Sequence, residues 1–290
     1  MNLIVTGSGG QLGTALRAVL KNGSSFKTFF LSKNELDITD TEKTCSFLEK
    51  FKDERTVIIN CAAYTDVEKA ESEPEKAYLI NYQGAANLAE ASYNYSLKLI
   101  HISTDFVFSG LKEGSYNEND KPDPVSVYGK SKLEGEKAVL KFSKNNLIIR
   151  TSWLYSHTHE TFLKKIINRA KASDQIKVVD NEAGSPTYAF DLAQALFEIC
   201  GIIIKKDSFE TGIYHFCNSG SVSRFEYAKK IIEFSGLKTE VLPIHSSVLN
   251  LKAKRPVNSA MDNSKIVSDF GLNIRKWEDA LFDAVGKING

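Results

Sequence analysis

The stretch Leu3-Ile-Val-Thr-Gly-Ser-Gly-Gly-Gln-Leu-Gly13 decides the fold. Leu3–Thr6 is an apolar run of strand length, and the apolar spacing over Leu12–Leu20 is that of a helix. Between them Gly7, Gly10 and Gly13 fall in the pattern GxxGxxG. The first glycine permits a tight turn, the second lets backbone approach a pyrophosphate, and the third lets helix and strand pack closely. The N–H groups of the new helix then face the anion. A glycine-rich turn without a ligand is the plainer alternative, but the strand before it and the helix after it favour nucleotide binding.

Outward from this unit the rhythm repeats. Strands are expected at Phe29–Leu31, Val57–Asn60, Leu97–Ser103 and Leu147–Arg150, with helices near Thr41–Phe51, Glu75–Asn94 and Val127–Phe142. Strands alternating with helices of this length predict an α/β fold, a Rossmann-type doubly wound parallel sheet covered on both faces. After Arg150 short strands (Lys177–Val179, Ile213–Cys217, Val241–Ile244) mix with helices at Phe162–Ala172, Tyr188–Cys200, Ser223–Phe234 and Trp277–Lys287. This reads as a smaller α/β substrate-binding lobe, interwoven with the first. The expected division gives residues 1–152 and about 187–205 to the cofactor domain, and about 153–186 and 206–290 to the lobe.

A net charge of +1 over 290 residues provides no field for nucleic acid or an anionic membrane surface. The start, Met-Asn-Leu-Ile-Val-Thr-Gly, has no basic n-region, and no run approaches the ~18 apolar residues of a membrane span. Cys45, Cys61, Cys200 and Cys217 lack metal-ligand spacing and are expected to be buried free thiols of a cytoplasmic protein. His157 and His159 alternate in a polar loop and read as solvated. No metal is expected: Ala15 is read as facing outward from the first helix with no acid beside it.

After the second strand, an acid would accept both ribose hydroxyls of NADH. Ser32-Lys33 stands there instead, a hydroxyl and an ammonium that tolerate a 2′-phosphate, so NADPH is favoured over NADH. Asp37 and Ile38 follow within reach of an adenine, although Asp37, Thr39 or Asp40 is also needed to cap the helix near Thr41. Asn60-Cys-Ala-Ala-Tyr64 ends the third strand with small residues that let a dinucleotide lie across the sheet edge.

Ser103-Thr104-Asp105 ends the fourth strand, at the edge where open α/β sheets bind ligands. Tyr128 and Lys132 share a helix face four positions apart. A phenol with a pKa near ~10 is a reluctant acid at neutral pH, and a neighbouring ammonium is expected to lower it. In this reading Tyr128 protonates a forming alkoxide, Thr104 polarises the same oxygen, and Lys132 holds the nicotinamide ribose. Trp153, just past a strand end, presents a flat face to a sugar ring or packs between the lobes. Arg255 pairs with a diphosphate or with a surface acid.

Together, GxxGxxG, Asn60-x-Ala-Ala, Asn81-x-x-Gly84-x-x-x-Leu88, the strand end Ser103-Thr-Asp105 and YxxxK resemble the extended short-chain dehydrogenase/reductase family. Leu36-Asp-Ile-Thr-Asp40, Ser103-Thr-Asp-Phe-Val-Phe108, Tyr128-Gly-Lys-Ser-Lys132, Arg150-Thr-Ser-Trp-Leu-Tyr155, Gly184-Ser-Pro-Thr187 and Arg255-Pro-Val-Asn-Ser259 resemble its dTDP-4-dehydrorhamnose reductase branch. The resemblance implies NADPH- or NADH-dependent reduction of a 4-keto group on a dTDP-sugar, by a monomer or homodimer. It implies that Thr104, Tyr128 and Lys132 are catalytic and that Asp105 and Trp153 meet the sugar nucleotide. It also maps Gly10, Gln11, Leu12, Asp37, Ile38, Ala62, Ala63 and Tyr64 to cofactor contacts. The chain departs from the branch at Ser32, where many relatives have an acid, and at Thr161-Phe162, where Asn-Phe is usual. Two rival readings share most of these residues: a non-catalytic NADP-binding regulatory subunit, and a reductase or epimerase acting on another nucleotide sugar.

Overall fold

A computed structural model describes residues 1–21, 26–142, 146–206 and 211–289. The first part of the chain supplies strands β1 (Asn2–Thr6), β2 (Lys27–Leu31), β3 (Thr56–Asn60), β4 (Lys98–Thr104) and β5 (Asn146–Thr151). The later part adds β6 (Leu154–Tyr155), β7 (Gln175–Val179), β8 (Ala183–Gly184), β9 (Thr187–Tyr188), β10 (Gly212–His215), β11 (Val222–Ser223) and β12 (Glu240–Ile244). The helices begin with α1 (Gln11–Lys21), α2 (Thr41–Glu49), α3 (Val67–Ala70), α4 (Pro74–Tyr78), α5 (Ala85–Asn94) and α6 (Val127–Lys141). They continue with α7 (Phe162–Lys171), α8 (Ala189–Lys206), α9 (Arg224–Phe234), α10 (Ser264–Phe270) and α11 (Trp277–Asn289).

Six parallel strands form the central sheet in the order β10-β5-β4-β3-β1-β2. The order reverses between β1 and β3, so a crevice opens beyond the carboxyl ends of those two strands. Every residue of β1 and β3 is buried, which accounts for the unbroken apolar runs Leu3–Val5 and Val57–Ile59 at their centres. One face of the sheet packs on α1 and α8 through Leu12, Leu16, Leu192 and Leu196. The other packs on α2 and α5 through Leu48, Leu88 and Ala89, and on α6 through Val139. Each large apolar side chain so buried contributes about 1.5–3 kcal/mol relative to exposure. A separate core joins α7, α9 and α11 to β7, centred on Leu163, Ile166, Tyr227, Ile231 and Leu281.

Several expectations are corrected, and Cys45 and Cys61, expected to be buried thiols, are only half-buried. Gly212–His215, assigned from sequence to the smaller lobe, is the edge strand of the main sheet and runs parallel to β5. The long α8 crosses the sheet face first, and that crossover makes a parallel return possible. Ala15 does not face outward; it is fully buried, because α1 turns that side onto the sheet and α8. The helix expected over Glu75–Asn94 is also interrupted, by a π-helical turn at Leu79–Gly84.

Candidate active site

A cleft of about 1020 Å³ runs along the carboxyl edge of the sheet, from Ser32 and Asp37 past the glycine turn to Tyr128, Trp153 and Arg255. At its nucleotide end Gly7 has φ +65°, and a Cβ on it would lie 2.5 Å from the Ala62 nitrogen. A Cβ on Gly13 would lie 2.5 Å from the Ser8 Cα. No side chain larger than hydrogen fits at either position, so α1 starts hard against the turn. Its first turn carries no acid, leaving the N–H groups to an anion. Gln11 Nε2 donates to the Leu154 carbonyl at 3.5 Å, while its buried Oε1 has no partner among the described residues. Leu12 is buried in the core beneath, and Gly10, Ala62 and Ala63 line the cleft. These features fit a dinucleotide.

Farther along, Ser32 and Lys33 line the cleft, but an acid unseen in the sequence reading folds back beside them. Glu35 Oε2 accepts from the Ser32 N–H at 2.7 Å. Lys33 reaches Asp37 at 3.5 Å, and Asp37 Oδ1 accepts from the Thr39 N–H and hydroxyl. Capping of α2 falls to Asp40, whose Oδ1 accepts from the Lys43 N–H. Ile38 lines the cleft and packs against Gly84. Tyr64 is the sequence candidate that the structure turns away from the cleft: its hydroxyl donates to Glu73 at 3.0 Å.

The geometry at Tyr128 begins with Ser126, which caps α6 by accepting from the Gly129 N–H at 3.1 Å. A Cβ on Gly129 would lie 2.2 Å from the Phe106 carbonyl oxygen, so the helix packs directly on the turn after β4. This brings the Tyr128 ring edge-on to Phe106 and its hydroxyl beside Thr104. From the π-turn, Asn81 accepts from the Tyr64 N–H and donates to the Tyr64 carbonyl and the Ser131 hydroxyl. One amide thereby ties three segments around α6. π-turns are frequent at functional sites.

The expected lowering of the Tyr128 pKa by Lys132 is not what the structure shows. Burial pushes the phenol up to about 12, the Thr104 hydrogen bond draws it back, and Asp105 opposes ionisation further. Lys132 Nζ instead donates to the Ile102 carbonyl at 2.7 Å, and burial pushes its own pKa down to about 8. Thr104 donates to Asp105 Oδ1 at 3.0 Å. Burial raises the Asp105 carboxyl to about 6, opposed by hydrogen bonding to Ser259 and Thr104 and by the charge of Arg224.

At the substrate end Trp153 has φ +44°, a strained conformation for so large a residue. The Arg224 guanidinium lies 4.1 Å from the Trp153 ring centroid and donates to Glu182 at 2.8 Å. Trp153 therefore both lines the cleft and packs between the lobes. Arg255 is held by Glu68 on α3 at 3.3 Å, and its buried Nε has no partner among the described residues. Phe106, Arg224 and Tyr227 also line the cleft and were not found from sequence, and Phe162, of the departing Thr161-Phe162 pair, lines it beside them. Nor was His159, read as solvated, whose Nε2 meets the Gly9 carbonyl at 3.1 Å across the lobes. His157, read likewise, is half-buried with Nδ1 2.6 Å from the Tyr188 hydroxyl.

Residues 1–289 match the family model described as RmlD substrate binding domain. A dTDP-4-dehydrorhamnose reductase of Aggregatibacter actinomycetemcomitans is 39% identical over 285 residues, covering 96% of each chain. The chain belongs to the dTDP-4-dehydrorhamnose reductase family. Among solved structures, the family member from Clostridium acetobutylicum superposes with a TM-score of 0.92 at 33% identity and covers 100% of both chains. The Bacillus anthracis member, solved in complex with NADP, gives 0.89 at 36% identity, covering 98% of this chain and 99% of that one. Family membership thus agrees with the parallel sheet, the glycine turn and the strand-end hydroxyls.

Proposed function

We propose that the chain reduces the 4-keto group of dTDP-4-dehydro-L-rhamnose to dTDP-L-rhamnose, using NADPH or NADH, in nucleotide-sugar synthesis for cell-surface polysaccharide. The observation that carries this reading is one continuous cleft joining the glycine turn to Thr104, Tyr128 and Lys132. The relative solved with NADP supports the cofactor class. In this reading residues 1–152 with about 187–205, together with the edge strand β10, hold the cofactor. The remainder of 153–186 and 206–290 holds the sugar nucleotide. No helix among the described residues is long and apolar enough to cross a membrane, and a cytoplasmic monomer or homodimer is proposed.

The bound nicotinamide supplies a hydride to the ketone carbon. A reductase needs its acid protonated before that hydride arrives, and burial holds Tyr128 in the phenol form. Tyr128 gives the proton to the developing alkoxide. Thr104 turns its hydroxyl from Asp105 to the same oxygen, which frees Asp105 to accept from a sugar hydroxyl. Lys132 holds the cofactor ribose, Trp153 offers its ring to the sugar, and Arg255 leaves Glu68 for the diphosphate.

The test is a coupled assay in which the keto-sugar nucleotide is made in situ and NADPH oxidation is followed for wild type and Tyr128→Phe. Wild type should turn over and the variant should lose about 10²–10⁴-fold in rate while still binding NADPH. Equal rates would sink the mechanism. A folded, NADPH-binding wild type without turnover would support the regulatory-subunit reading, and stoichiometric NAD⁺ in the purified protein would support an epimerase.

A further inference from the structure

A chain of buried hydrogen bonds runs from the glycine turn to Lys132, and its donors and acceptors can be assigned in only one way. Asn60 Oδ1 receives the Ala62 N–H at 3.1 Å and the Thr6 hydroxyl at 2.7 Å. The Ala62 N–H can only donate, so this atom must be the amide oxygen. The other end of Asn60 is then an NH₂ group, which lies 3.0 Å from His101 Nδ1 and also can only donate. His101 Nδ1 is therefore an unprotonated acceptor. His101 is 1% exposed and burial holds its pKa well below the ordinary value, so the ring is neutral and its proton sits on Nε2. That N–H faces Lys132 Nζ at 3.4 Å. An ammonium has no lone pair to receive it, whereas a neutral amine does.

We propose that His101, locked by Asn60 as the Nε2–H tautomer, is a positioning residue that makes Lys132 an easily deprotonated amine. The groups facing Lys132 are few. From β4 come His101 and the Ile102 carbonyl, and from the end of β3 comes Cys61. Tyr128 and Glu136 share its helix, and Arg150 on β5 engages Glu136. Glu136 favours the ammonium, but its charge is already shared with Arg150 and the Ser103 hydroxyl. Burial and the opposed His101 N–H act the other way. The consequence for turnover rests on the reading above. Once Tyr128 has given up its proton, a lysine so poised returns one to the phenolate more readily than an ordinary ammonium. It passes from ammonium to amine as the phenol re-forms, and solvent then restores its proton.

The test uses the protein without substrate, so it stands or falls separately from the activity. In ¹⁵N-histidine-labelled wild type, the two ring-nitrogen shifts of each histidine report its tautomer. His101 and His215 should both fail to titrate between pH 6 and 9, since both are buried with lowered pKa values. His215 Nδ1 faces the Tyr116 carbonyl, which demands Nδ1–H, so the His101 and His215 rings, each identified by loss of its signal on substitution, should be of opposite tautomer. Two rings of the Nδ1–H form, or an imidazolium at His101, would overturn the proposal. In ¹³Cε-lysine-labelled protein, with Lys132→Arg identifying the signal, Lys132 should titrate at least tenfold more acidic than free lysine. His101→Asn keeps an acceptor for Asn60 and takes away the ring Nε2–H, its shorter side chain leaving the NH₂ group set back from Lys132. In that variant the midpoint should rise by about one pH unit, and an unchanged midpoint would overturn the proposal. If His101→Asn does not fold, the wild-type tautomer still decides.

Discussion

Arg150 Nη2 lies 2.6 Å from Glu136 Oε2, and both side chains are only 1% exposed. Arg150 Nε also donates to Oε1, which receives the Ser103 hydroxyl as well. This pair joins α6, with its Tyr128 and Lys132, to β4 and β5. Removing one charge leaves the other buried without compensation, which costs about 3–5 kcal/mol. Glu136→Gln should therefore lower the urea midpoint sharply with an unchanged m-value. A midpoint equal to wild type would show that the pair does not anchor α6.

Gly13 sits where α1 meets the turn, with the Ser8 backbone 2.5 Å from the place of a Cβ. The nearest atoms, Cα, C and O of Ser8, are all main chain and cannot swing aside. Gly13→Ala should displace the helix start and weaken NADPH binding by about tenfold or more, equivalent to at least 1.4 kcal/mol. The overpacking itself should cost about 1–3 kcal/mol in stability. Fluorescence titration of NADPH together with urea unfolding checks both effects. Gly286→Ala, exposed on α11 with nothing within 4 Å and outside the cleft, is the control and should bind NADPH as wild type does.

That glycine turn was legible in the sequence because its backbone geometry excludes other residues. Tyr128 and Lys132 were legible because helical spacing puts them on one face. The direction of the Tyr128 shift was not, since burial outweighs the nearby ammonium and burial depends on how α6 packs against Phe106. His159 reaches Gly9 across 150 positions, and Arg224 meets Trp153 only because α9 docks behind the cleft. No local pattern carries such contacts. Tyr64 adjoins small residues that line the cleft, yet its ring turns to Glu73. The β10 strand looked like part of the lobe because its sheet partner, β5, is remote in sequence.

Asp105 makes the stability of the fold depend on pH. Its carboxyl is raised to about 6 in the fold, above the ordinary value of 3.8. Between those values the folded state binds the extra proton, so stability falls as pH rises towards 6 and stays reduced above it. The loss at neutral pH is at most about 3 kcal/mol. Asp105→Asn should therefore be more stable than wild type at pH 7, with the gap narrowing as pH falls to 5. It should also turn over poorly, because its NH₂ group replaces Oδ2, the oxygen without a partner among the described residues, with a donor where a sugar hydroxyl needs an acceptor. Urea midpoints for both proteins across this range check the claim. A gap that widens towards low pH would show that Asp105 is ionised more easily than its burial implies.

In the proposed reading, cofactor choice turns on the short run after β2. Lys33 is mostly exposed and its contact with Asp37, at 3.5 Å, is of the weak surface kind. Its ammonium is thus free to move to a 2′-phosphate, and Ser32 adds a hydroxyl without charge. Glu35 already points at the Ser32 N–H, so a second carboxylate at position 32 would concentrate negative charge where that phosphate must sit. Ser32→Asp should weaken NADPH relative to NADH by about tenfold, or 1.4 kcal/mol. Dissociation constants for both cofactors, measured on wild type and variant in the same buffer, give the ratio directly. If the ratio does not move, selectivity is set by Lys33 and Glu35 rather than by the residue at the strand end.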